Sequence, residues 1–378
     1  MMLKIVCSGF IVRHPVGGHT WHHLQYLAGL VRLGHEVLYF EDWGWANSCF
    51  DLSINDMTAS PNYGIRYMRN VFNRIGLECP WAYLAEDGRC YGMTREELAR
   101  RCRRSDLYLN LSNINWIPEV ESCRRRALID TDPAFTQIGA HGAGGGFSRY
   151  DILLTYGENV GQKGSSMPTA GYHWFPTRQP IVLDHWLANA PTNDAPYSTI
   201  INWTVMPDKY FEGRLYGQKD REFAPFFDLP HRTGERMVIA VNGPPDIKER
   251  LEHGGWTLAH ALVVASDPWK YQNFIRDSRG EFCVAKHAYV STSCGWFSDR
   301  SCAYLASGRP VVVQDTGFSS YLPCGEGLIP FKSLDEAVEG LRAISSRPLG
   351  HSRAARRIAE TYFDSRVVLN DLLEKCLS

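Results

Sequence analysis

One stretch near the C-terminus, FCVAKHAYVSTSCGWFSDRSCAYLASGRPVVVQDTGF (282–318), constrains the fold of this chain more than any other. Its pattern predicts a buried strand, a turn containing Gly295, a helix that begins at Ser298 or Asp299, and a second, entirely apolar strand. Parallel sheets are built from this order, because consecutive parallel strands need a crossover that is usually a helix. The first turn of such a helix has free N–H groups and partial positive charge, so the unit predicts an anion site.

A second unit of this kind begins almost at the N-terminus. The apolar run LKIVCSGF (3–10) is followed by a loop with two adjacent glycines, by helical spacing of apolar residues up to a stop at Gly34, and by the strand HEVLYFED (35–42). Further strand candidates follow, at residues 106–112, 126–132 and 151–157. Strand, loop, helix and strand within about 40 residues predict a doubly wound first domain.

The length of the chain, 378 residues, suits two domains of roughly 150–200 residues rather than one core. A proline-rich segment from Pro168 to Pro196 leads to a second alternating pattern that starts at Ser198. We therefore predict the α/β fold class with two Rossmann-like doubly wound domains. The predicted boundaries are 1–180 for the first domain, 181–197 for the linker, 198–351 for the second domain and 352–378 for a C-terminal helix that packs back on the first domain.

The remaining segments are assigned more simply. The Gly-rich loop AHGAGGG (140–146) is most simply a flexible connection, since no Lys-Ser/Thr follows it. Residues 45–93 are predicted to be loop apart from a helix at 63–75. Further helices are predicted at residues 95–103, around 256–264, at 333–345 and at 352–377.

Composition excludes several classes of protein. A net charge of −1 gives no general electrostatic reason to expect nucleic-acid binding, and the four arginines within residues 100–104 are read as a solvated helix face. Eleven cysteines occur singly, with no C-x-x-C pair, which predicts reduced thiols in a cytoplasmic protein. No run approaches the ~18 apolar residues of a membrane span, so membrane association is expected to be peripheral at most.

Polar residues follow several predicted strands of the second half. Ligands of open α/β sheets bind outside the carboxyl ends of the strands. Backbone donors, cations and aromatic surface together suit a diphosphate attached to a base. The residues predicted to bind it are Lys219, Asn242, Gly243, Lys286, Gly295, Trp296, Phe297, Ser298, Asp299, Arg300, Gln314, Asp315, Thr316 and Gly317. Among them, the amide and carboxylate at 314–315 can also bind sugar hydroxyls.

Ordinary structural roles explain the same residues about equally well. Lys219 is also a plausible surface residue of a helix, and Trp296 and Phe297 suit plain core packing. Ser298 would cap a helix in any protein, and an Asx turn accounts for Asp315. These alternatives stay open from the sequence alone.

His19 is the candidate base of the first half. It follows two glycines and begins a helix, whose N-terminus disfavours the imidazolium and keeps the ring able to accept a proton near pH 7. Asp130 or Asp132, at the end of a strand, is predicted to orient the ring. A lone loop histidine is more often structural. The other histidines of residues 14–23 lack a carboxylate or cysteine at a metal-site spacing, so no metal is predicted.

The order of these parts resembles that of the GT-B glycosyltransferases. VGGHTWHHLQYLAGLVRLGHEV (16–37) is similar to the Gly-Gly-His entry of such enzymes, and CGWFSDRSCAYLASGRPVVVQDTG (294–317) to their donor-binding segment. GQKDREF resembles the place where many members put a phosphate-binding lysine, here Lys219. The resemblance implies two Rossmann-like domains that face each other across a cleft, with the acceptor on the first and the nucleotide-sugar donor on the second.

The resemblance also assigns roles to residues of the first domain. His19 falls where inverting members keep their base, and Gly17, Gly18 and Trp21 belong to the acceptor side of the cleft. It implies a metal-independent, hexosyltransferase-like enzyme that moves a sugar from a nucleoside diphosphate sugar, of UDP or TDP type, to an acceptor hydroxyl. No separate cofactor is implied, and inversion is preferred because of the candidate base.

Partners and alternatives complete the prediction. The aromatic segment from Trp43 to Tyr91 is expected to contact the acceptor, which is a small natural product, a saccharide or a lipid head group, and not a nucleic acid. A nucleotide-sugar epimerase on the same fold is one alternative. A Rossmann-type dehydrogenase or a nucleotide-binding protein is another, although no G-x-G-x-x-G follows the first strand.

Overall fold

The computed structural model describes residues 2–142, 146–189, 192 and 194–378. Its N-terminal half has four helices, α1 (Gly17–Arg32), α2 (Asn62–Ile75), α3 (Arg95–Arg103) and α4 (Phe135–Gly142). Its strands are β1 (Lys4–Ser8), β2 (Glu36–Asp42), β3 (Cys49–Asp51), β4 (Asp56–Thr58), β5 (Trp81–Leu84), β6 (Cys90–Tyr91), β7 (Leu107–Leu111), β8 (Arg126–Asp130), β9 (Ile152–Thr155) and β10 (Phe175–Pro176).

The C-terminal half repeats the alternation of strands and helices. Its strands are β11 (Tyr197–Asn202), β12 (Lys209–Phe211), β13 (Arg214–Tyr216), β14 (Met237–Asn242), β15 (Thr257–His260), β16 (Gly280–Cys283), β17 (Val311–Gln314) and β18 (Leu328–Phe331). Its helices are α5 (Asp220–Phe223), α6 (Leu229–Thr233), α7 (Pro245–His253), α8 (Ala261–Ala265), α9 (Pro268–Arg276), α10 (His287–Thr292), α11 (Asp299–Ala306), α12 (Leu334–Ser346), α13 (Pro348–Ile358) and α14 (Ser365–Leu377).

Each half is built on one large sheet, and the predicted α/β fold class is confirmed. The first sheet has the order β10-β9-β8-β7-β1-β2-β5-β6 and is parallel apart from the β5–β6 pair. The second has the order β15-β14-β11-β16-β17-β18 and is parallel throughout. The order reverses between β7 and β1 in one sheet and between β11 and β16 in the other. A crevice forms at the carboxyl ends of strands at such reversals, so each sheet offers one.

The helix ends follow from local sequence. Helix α1 stops because Gly34 adopts φ +85°, and the backbone N–H groups of Gly34 and His35 donate to the carbonyls of Val31 and Leu30. Helix α3 begins after Thr94, whose hydroxyl accepts from the backbone N–H of Glu97 at 3.1 Å. Both ends lie where the sequence predicts them.

The two halves share a buried interface. One hydrophobic cluster runs from the first sheet into the C-terminal half and includes Tyr271, Tyr289 and Trp296. Helix α14 lies against α1, where a Cβ added at Gly29 would come within 2.5 Å of Leu369. Ser365 donates from its backbone to the carbonyl of Ile181. None of the described helices has the length and apolar character needed to span a bilayer.

Three local predictions are wrong. Residues 257–260, predicted to be helical, form strand β15, because they pair in parallel with β14 and tertiary pairing overrides a weak local preference. Residues 45–93 contain strands β3 to β6 as well as a helix. The single final helix predicted from residue 352 is two helices, separated by a π-helical turn at 359–363 and by Asp364, which caps α14. Residues 143–145 of the predicted Gly-rich loop and 190, 191 and 193 of the predicted linker lie outside the described residues.

Candidate active site

A cleft of about 480 Å³ lies between the two halves, and both halves line it. Of the residues predicted to form a site, Gly18 and His19 line it from α1, and Lys219, Asn242, Lys286, Asp299 and Arg300 line it from the second half. The strand order explains this convergence. Asn202 and Asn242 end the paired strands β11 and β14, and Lys286 follows β16, all at the carboxyl edge of the second sheet.

Lys219 brings an unpaired cation to the cleft. Its ammonium group has no hydrogen bond or ion pair within the described part of the chain, and burial, followed by the charge of Arg300, lowers its pKa to about 8. The adjacent Gln218 is buried, and its amide nitrogen also has no partner among the described residues. An anionic ligand in the cleft would supply hydrogen-bond acceptors for both of these neighbouring donors.

Arg300 is already tied to the protein. Its guanidinium donates to the carboxylate of Glu281 at 2.5 Å, to the carbonyl of Ile200 at 2.6 Å and to the sulfur of Cys283 at 3.1 Å. The carboxylate of Glu281 is fully buried beneath the cleft, and the guanidinium of Arg300 neutralises its charge. The charge of Arg300 still helps to lower the pKa of Lys219, although most of its own donors are occupied.

Lys286 is bound across the cleft by Asp132. The ammonium lies 2.8 Å from each carboxylate oxygen, and the hydroxyl of Tyr289 donates to the same carboxylate. Asp130, fully buried, accepts from Gln137, Thr155 and the backbone N–H of Asp132.

Neither carboxylate is hydrogen-bonded to His19 in the described residues, so the prediction that Asp130 or Asp132 orients this ring is corrected. The reason is geometric. Asp132 leaves strand β8 toward helix α10 of the other half, and Asp130 points into a polar core behind the strand ends.

His19 presents a neutral imidazole to the cleft. Its ring packs on Phe10, with centroids 3.7 Å apart, and on His23 at 4.7 Å. Burial, followed by the neighbouring His23, lowers its pKa well below the usual range. Its Nε2 is buried and has no hydrogen-bond partner in the part of the chain that the structure describes. A neutral imidazole can accept a proton from a hydroxyl that comes within hydrogen-bond distance of one of its ring nitrogens.

The other residues predicted on the acceptor side hold the two halves together. A Cβ added at Gly17 would lie 2.6 Å from the carbonyl of Asp267, and one at Gly18 would lie 2.7 Å from the ring of Tyr271. The indole N–H of Trp21 donates to the carbonyl of Pro268 at 2.7 Å. The glycines therefore allow α9 to approach α1. Of the three, only Gly18 also lines the cleft.

The segment from Gly295 to Ser298 packs at the same interface and does not line the cleft. Trp296 pairs as a β-bridge with Gly157 of the first half, and Phe297 is stacked on Phe363 with centroids 5.4 Å apart. Trp296, Phe297 and Ser298 are buried. The sequence left open whether the rings of Trp296 and Phe297 stack on a ligand or pack in the core. In the structure both rings are packed in the core.

The residues after β17 have internal partners. Asp315 accepts from the backbone N–H of Gly317 at 2.9 Å and from the hydroxyl of Ser319 at 2.8 Å, which is the Asx-type alternative. Gln314 bridges the backbone of Ala285 and the carboxylate of Glu222. Two more predicted residues also serve packing: the hydroxyl of Thr316 donates to the carbonyl of Trp296, and Gly243 lies against Trp203.

A metal site is not evident. The structure places together no group of three or more His, Cys, Asp or Glu side chains able to hold a metal ion, as far as the chain is described. The histidines of residues 14–23 instead contact one another and Phe10 through their ring faces and edges.

Several lining residues escape the sequence analysis. They are His14, Asn202, Val205, Gln218 and Tyr271, whereas Phe50 belongs to the aromatic segment that is predicted to contact the acceptor. Asn202 could have been found, because it ends a predicted strand just as Asn242 does. Gln218 adjoins Lys219 in the same loop. Tyr271 carries no local signal, since only the packing of α9 against α1 brings it to the cleft.

Comparison with known proteins identifies the fold. No protein-family model matches the chain, and no curated sequence matches it significantly. Among solved structures, AviGT4, a glycosyltransferase involved in avilamycin A biosynthesis, superposes with a TM-score of 0.57 at 14% identity, covering 99% of this chain and 96% of that one. An alpha-glucosyltransferase in complex with UDP gives 0.62 at 10% identity, covering 100% of both chains. An alpha-glucosyltransferase in complex with UDP-glucose and DNA containing an abasic site gives 0.61 at 10% identity, covering 100% of both chains.

These likenesses extend over the whole chain. Together with the two parallel sheets and the cleft between them, they define the class of fold: the chain has the GT-B fold of glycosyltransferases. The predicted resemblance is confirmed at the level of fold.

Proposed function

We propose that this protein is a glycosyltransferase that moves a sugar from a nucleoside diphosphate sugar to an acceptor hydroxyl. The observation that carries the proposal is the composition of the cleft. His19, with a neutral ring, lines it from one half. Lys219 and Gln218 line it from the other, and neither the ammonium of Lys219 nor the side-chain amide nitrogen of Gln218 has a partner among the described residues. A proton acceptor on one side and an anion site on the other suit group transfer from a phosphate leaving group.

The donor lies on the second half in this proposal. Lys219 and the amide of Gln218 bind the diphosphate, Asn242 hydrogen-bonds the nucleotide or sugar, and the N-terminal end of α11 adds partial positive charge. The alpha-glucosyltransferase neighbours were solved with UDP or UDP-glucose, which favours a UDP-type donor. A TDP-sugar is the other donor type that the sequence predicts.

The reaction follows from these positions. His19 takes the proton of the acceptor hydroxyl, the hydroxyl oxygen forms a bond to the anomeric carbon, and the bond from that carbon to the diphosphate oxygen breaks. The electron pair leaves on the diphosphate, which Lys219 stabilises. Direct attack opposite the leaving group inverts the anomeric configuration. The step uses side chains alone, so we propose that it is metal-independent and needs no separate cofactor.

The acceptor and the compartment stay proposals. Two neighbouring alpha-glucosyltransferase structures contain UDP and DNA with an HMU base, so nucleic acid is the competing acceptor class. The net charge of −1 favours an acceptor other than DNA. The free cysteines of the described chain, most of them buried, agree with a reducing cytoplasm.

Thermal unfolding in the presence of ligands tests the proposal. We expect UDP, TDP or their sugars to raise the melting temperature in proportion to occupancy, and NAD to leave it unchanged. Incubation with the best nucleotide sugar alone separates transfer from epimerisation, because an epimerase converts the sugar without an acceptor. Stabilisation by NAD, and not by UDP, TDP or their sugars, would support a dehydrogenase and contradict the proposal.

A further inference from the structure

Residues 43–58, a loop followed by the β3–β4 hairpin, form a projection that we call the aromatic rim. Twelve large apolar residues are exposed in the described part of the chain, and four of them belong to the rim: Trp43 (37%), Trp45 (49%), Ile54 (64%) and Met57 (38%). Exposed apolar side chains that occur singly need no explanation, whereas four within residues 43–58 favour a binding surface.

The rim is anchored to the protein at its base. The backbone N–H of Phe50 donates to the carbonyl of Arg13 at 2.8 Å, and the guanidinium of Arg13 lies 5.1 Å from the centre of the Trp45 ring. Arg13 is itself fully buried beside Glu41, and the sulfur of Cys49 lies 3.2 Å from the hydroxyl of Tyr83. These contacts fix the base of the rim against the first sheet and hold the Trp45 ring close to Arg13.

The rim continues into the cleft. Phe50 lines the cleft together with His14 and His19, and the exposed Val205 lines it from the second half. Apolar side chains from both halves therefore line the cleft together with His19. A molecule with its hydroxyl at His19 would extend over the rim.

The charge of the rim limits what can bind there. Residues 43–58 include Asp51 and Asp56 and contain no lysine or arginine. Nucleic-acid binding depends on basic residues that neutralise phosphates, and anionic lipid surfaces also attract basic segments. The rim offers neither partner a basic group.

We infer that the aromatic rim binds the apolar scaffold of the acceptor. The acceptor class is a small hydroxylated molecule with an aromatic ring system or an alkyl chain, whose hydroxyl reaches His19 while its scaffold packs on the rim. This inference rests on the proposed function and adds the class of acceptor to it.

Binding of 4-methylumbelliferone, a planar aromatic alcohol, tests the inference. We compare the unchanged chain with the double variant Ile54→Ser/Met57→Ser by titration of the fluorescence of the compound. The variant is expected to raise the dissociation constant about fivefold to tenfold, since two apolar contacts are lost. Leu349→Ser, at an equally exposed position of α13, is the matched control and is expected to leave it unchanged. Circular dichroism checks that all three chains are folded.

The outcomes separate this inference from the proposed function. If no nucleotide stabilises the protein while 4-methylumbelliferone binding depends on the rim, the proposed function fails and the rim site stands. Absence of saturable binding to the unchanged chain, or equal binding by chain and double variant, overturns the inference.

Transfer assays add a second arm. With the donor that stabilises the protein best, the double variant is expected to raise KM for 4-methylumbelliferone and not for glucose. Transfer to glucose or to duplex DNA that is efficient and insensitive to the rim variants overturns the inference even though transferase activity is present. Loss of binding to phosphatidylcholine vesicles alone, with 4-methylumbelliferone unaffected, would assign the rim to a membrane and also overturn it.

Discussion

Lys286 and Asp132 form a two-point ion pair that joins the two sheets, with the ammonium 2.8 Å from each carboxylate oxygen. The residues are 154 positions apart in the sequence and belong to different halves of the molecule. Since Lys286 also lines the cleft, the pair connects the cleft wall of one half to the strand end of the other.

A double-mutant cycle measures this connection. Asp132→Asn and Lys286→Met are each expected to lower the free energy of unfolding, with an interaction energy of about 1–2 kcal/mol because the pair is only partly buried. Urea unfolding of the single and double variants gives the value. The exposed pair Glu326–Arg347 is the control and is expected to give less than about 0.5 kcal/mol. Additive effects at residues 132 and 286 would contradict the coupling.

Lys219 is expected to bind the nucleotide diphosphate. Lys219→Ala should weaken nucleotide binding by roughly tenfold to a hundredfold, the loss of one charge-assisted hydrogen bond. The exposed Lys163→Ala serves as the control and should bind normally. Isothermal titration with UDP checks both, and equal affinity in the two variants would exclude Lys219 from the donor site.

The pH dependence of nucleotide affinity follows from the pKa of Lys219. Its pKa is lowered to about 8, first by burial and then by Arg300, and only the protonated amine attracts a phosphate. Affinity is therefore expected to be full below pH 8 and to fall as the pH rises through that value. Lys219→Arg should abolish this fall, because arginine stays charged. If the affinity of the Lys219→Arg variant falls by the same amount, the pH dependence comes from another titratable group.

His19 is expected to be the base. His19→Ala should lower the rate of transfer by about a hundredfold or more and leave nucleotide affinity unchanged. Its pKa lies well below the usual histidine range because of burial, so the rate of the unchanged enzyme should persist in mildly acidic buffer. His173→Ala, at an exposed position, is the control. Near-normal turnover of the His19 variant would remove this residue from the mechanism.

Gly18 is expected to be intolerant of a side chain. A Cβ there would lie 2.7 Å from Tyr271, so Gly18→Ala should destabilise the protein by about 1–3 kcal/mol. Gly139→Ala, where an added Cβ meets nothing within 4 Å, should be neutral or slightly stabilising. Thermal unfolding compares them. Removing the ring with Tyr271→Ala should reduce the further cost of the Gly18 change, and undiminished cost would argue against a clash.

The stability of the protein should fall in acid because of His22 and His23. Burial lowers their pKa values to about 4 and about 3, whereas unfolded histidine titrates near 6.5. Their contribution is thus present above about pH 6.5 and is lost as the pH falls toward the folded values, by about 2 kcal/mol for each ring at pH 5. Urea unfolding at pH 7.5 and 5.0 measures the loss, and His23→Gln should make it smaller. If the loss of unfolding free energy between pH 7.5 and 5.0 is the same in the His23→Gln variant, His23 does not cause it.

Much of the fold could be predicted because its signals are local. The N-cap at Thr94 and the stop at Gly34 are read from single positions and lie where expected. Strand β15 could not be predicted, since its residues become a strand only through pairing with β14. The candidate site was predictable in part. Lys219 and Asn242 were identifiable as polar residues that follow predicted strands, whereas Asp315 has the same signature and forms an internal Asx-type turn.

The sequence by itself determined two parallel α/β halves and the polar residues at their strand ends, because hydrophobic periodicity and turn chemistry act over a few residues. Only the tertiary structure decided which residues meet across the interface. The indole of Trp21 reaches the carbonyl of Pro268, 247 positions away, and Asp132 binds Lys286 rather than orienting His19. Contacts of that span depend on strand order and on how the two sheets face each other, and no local pattern in the chain encodes either.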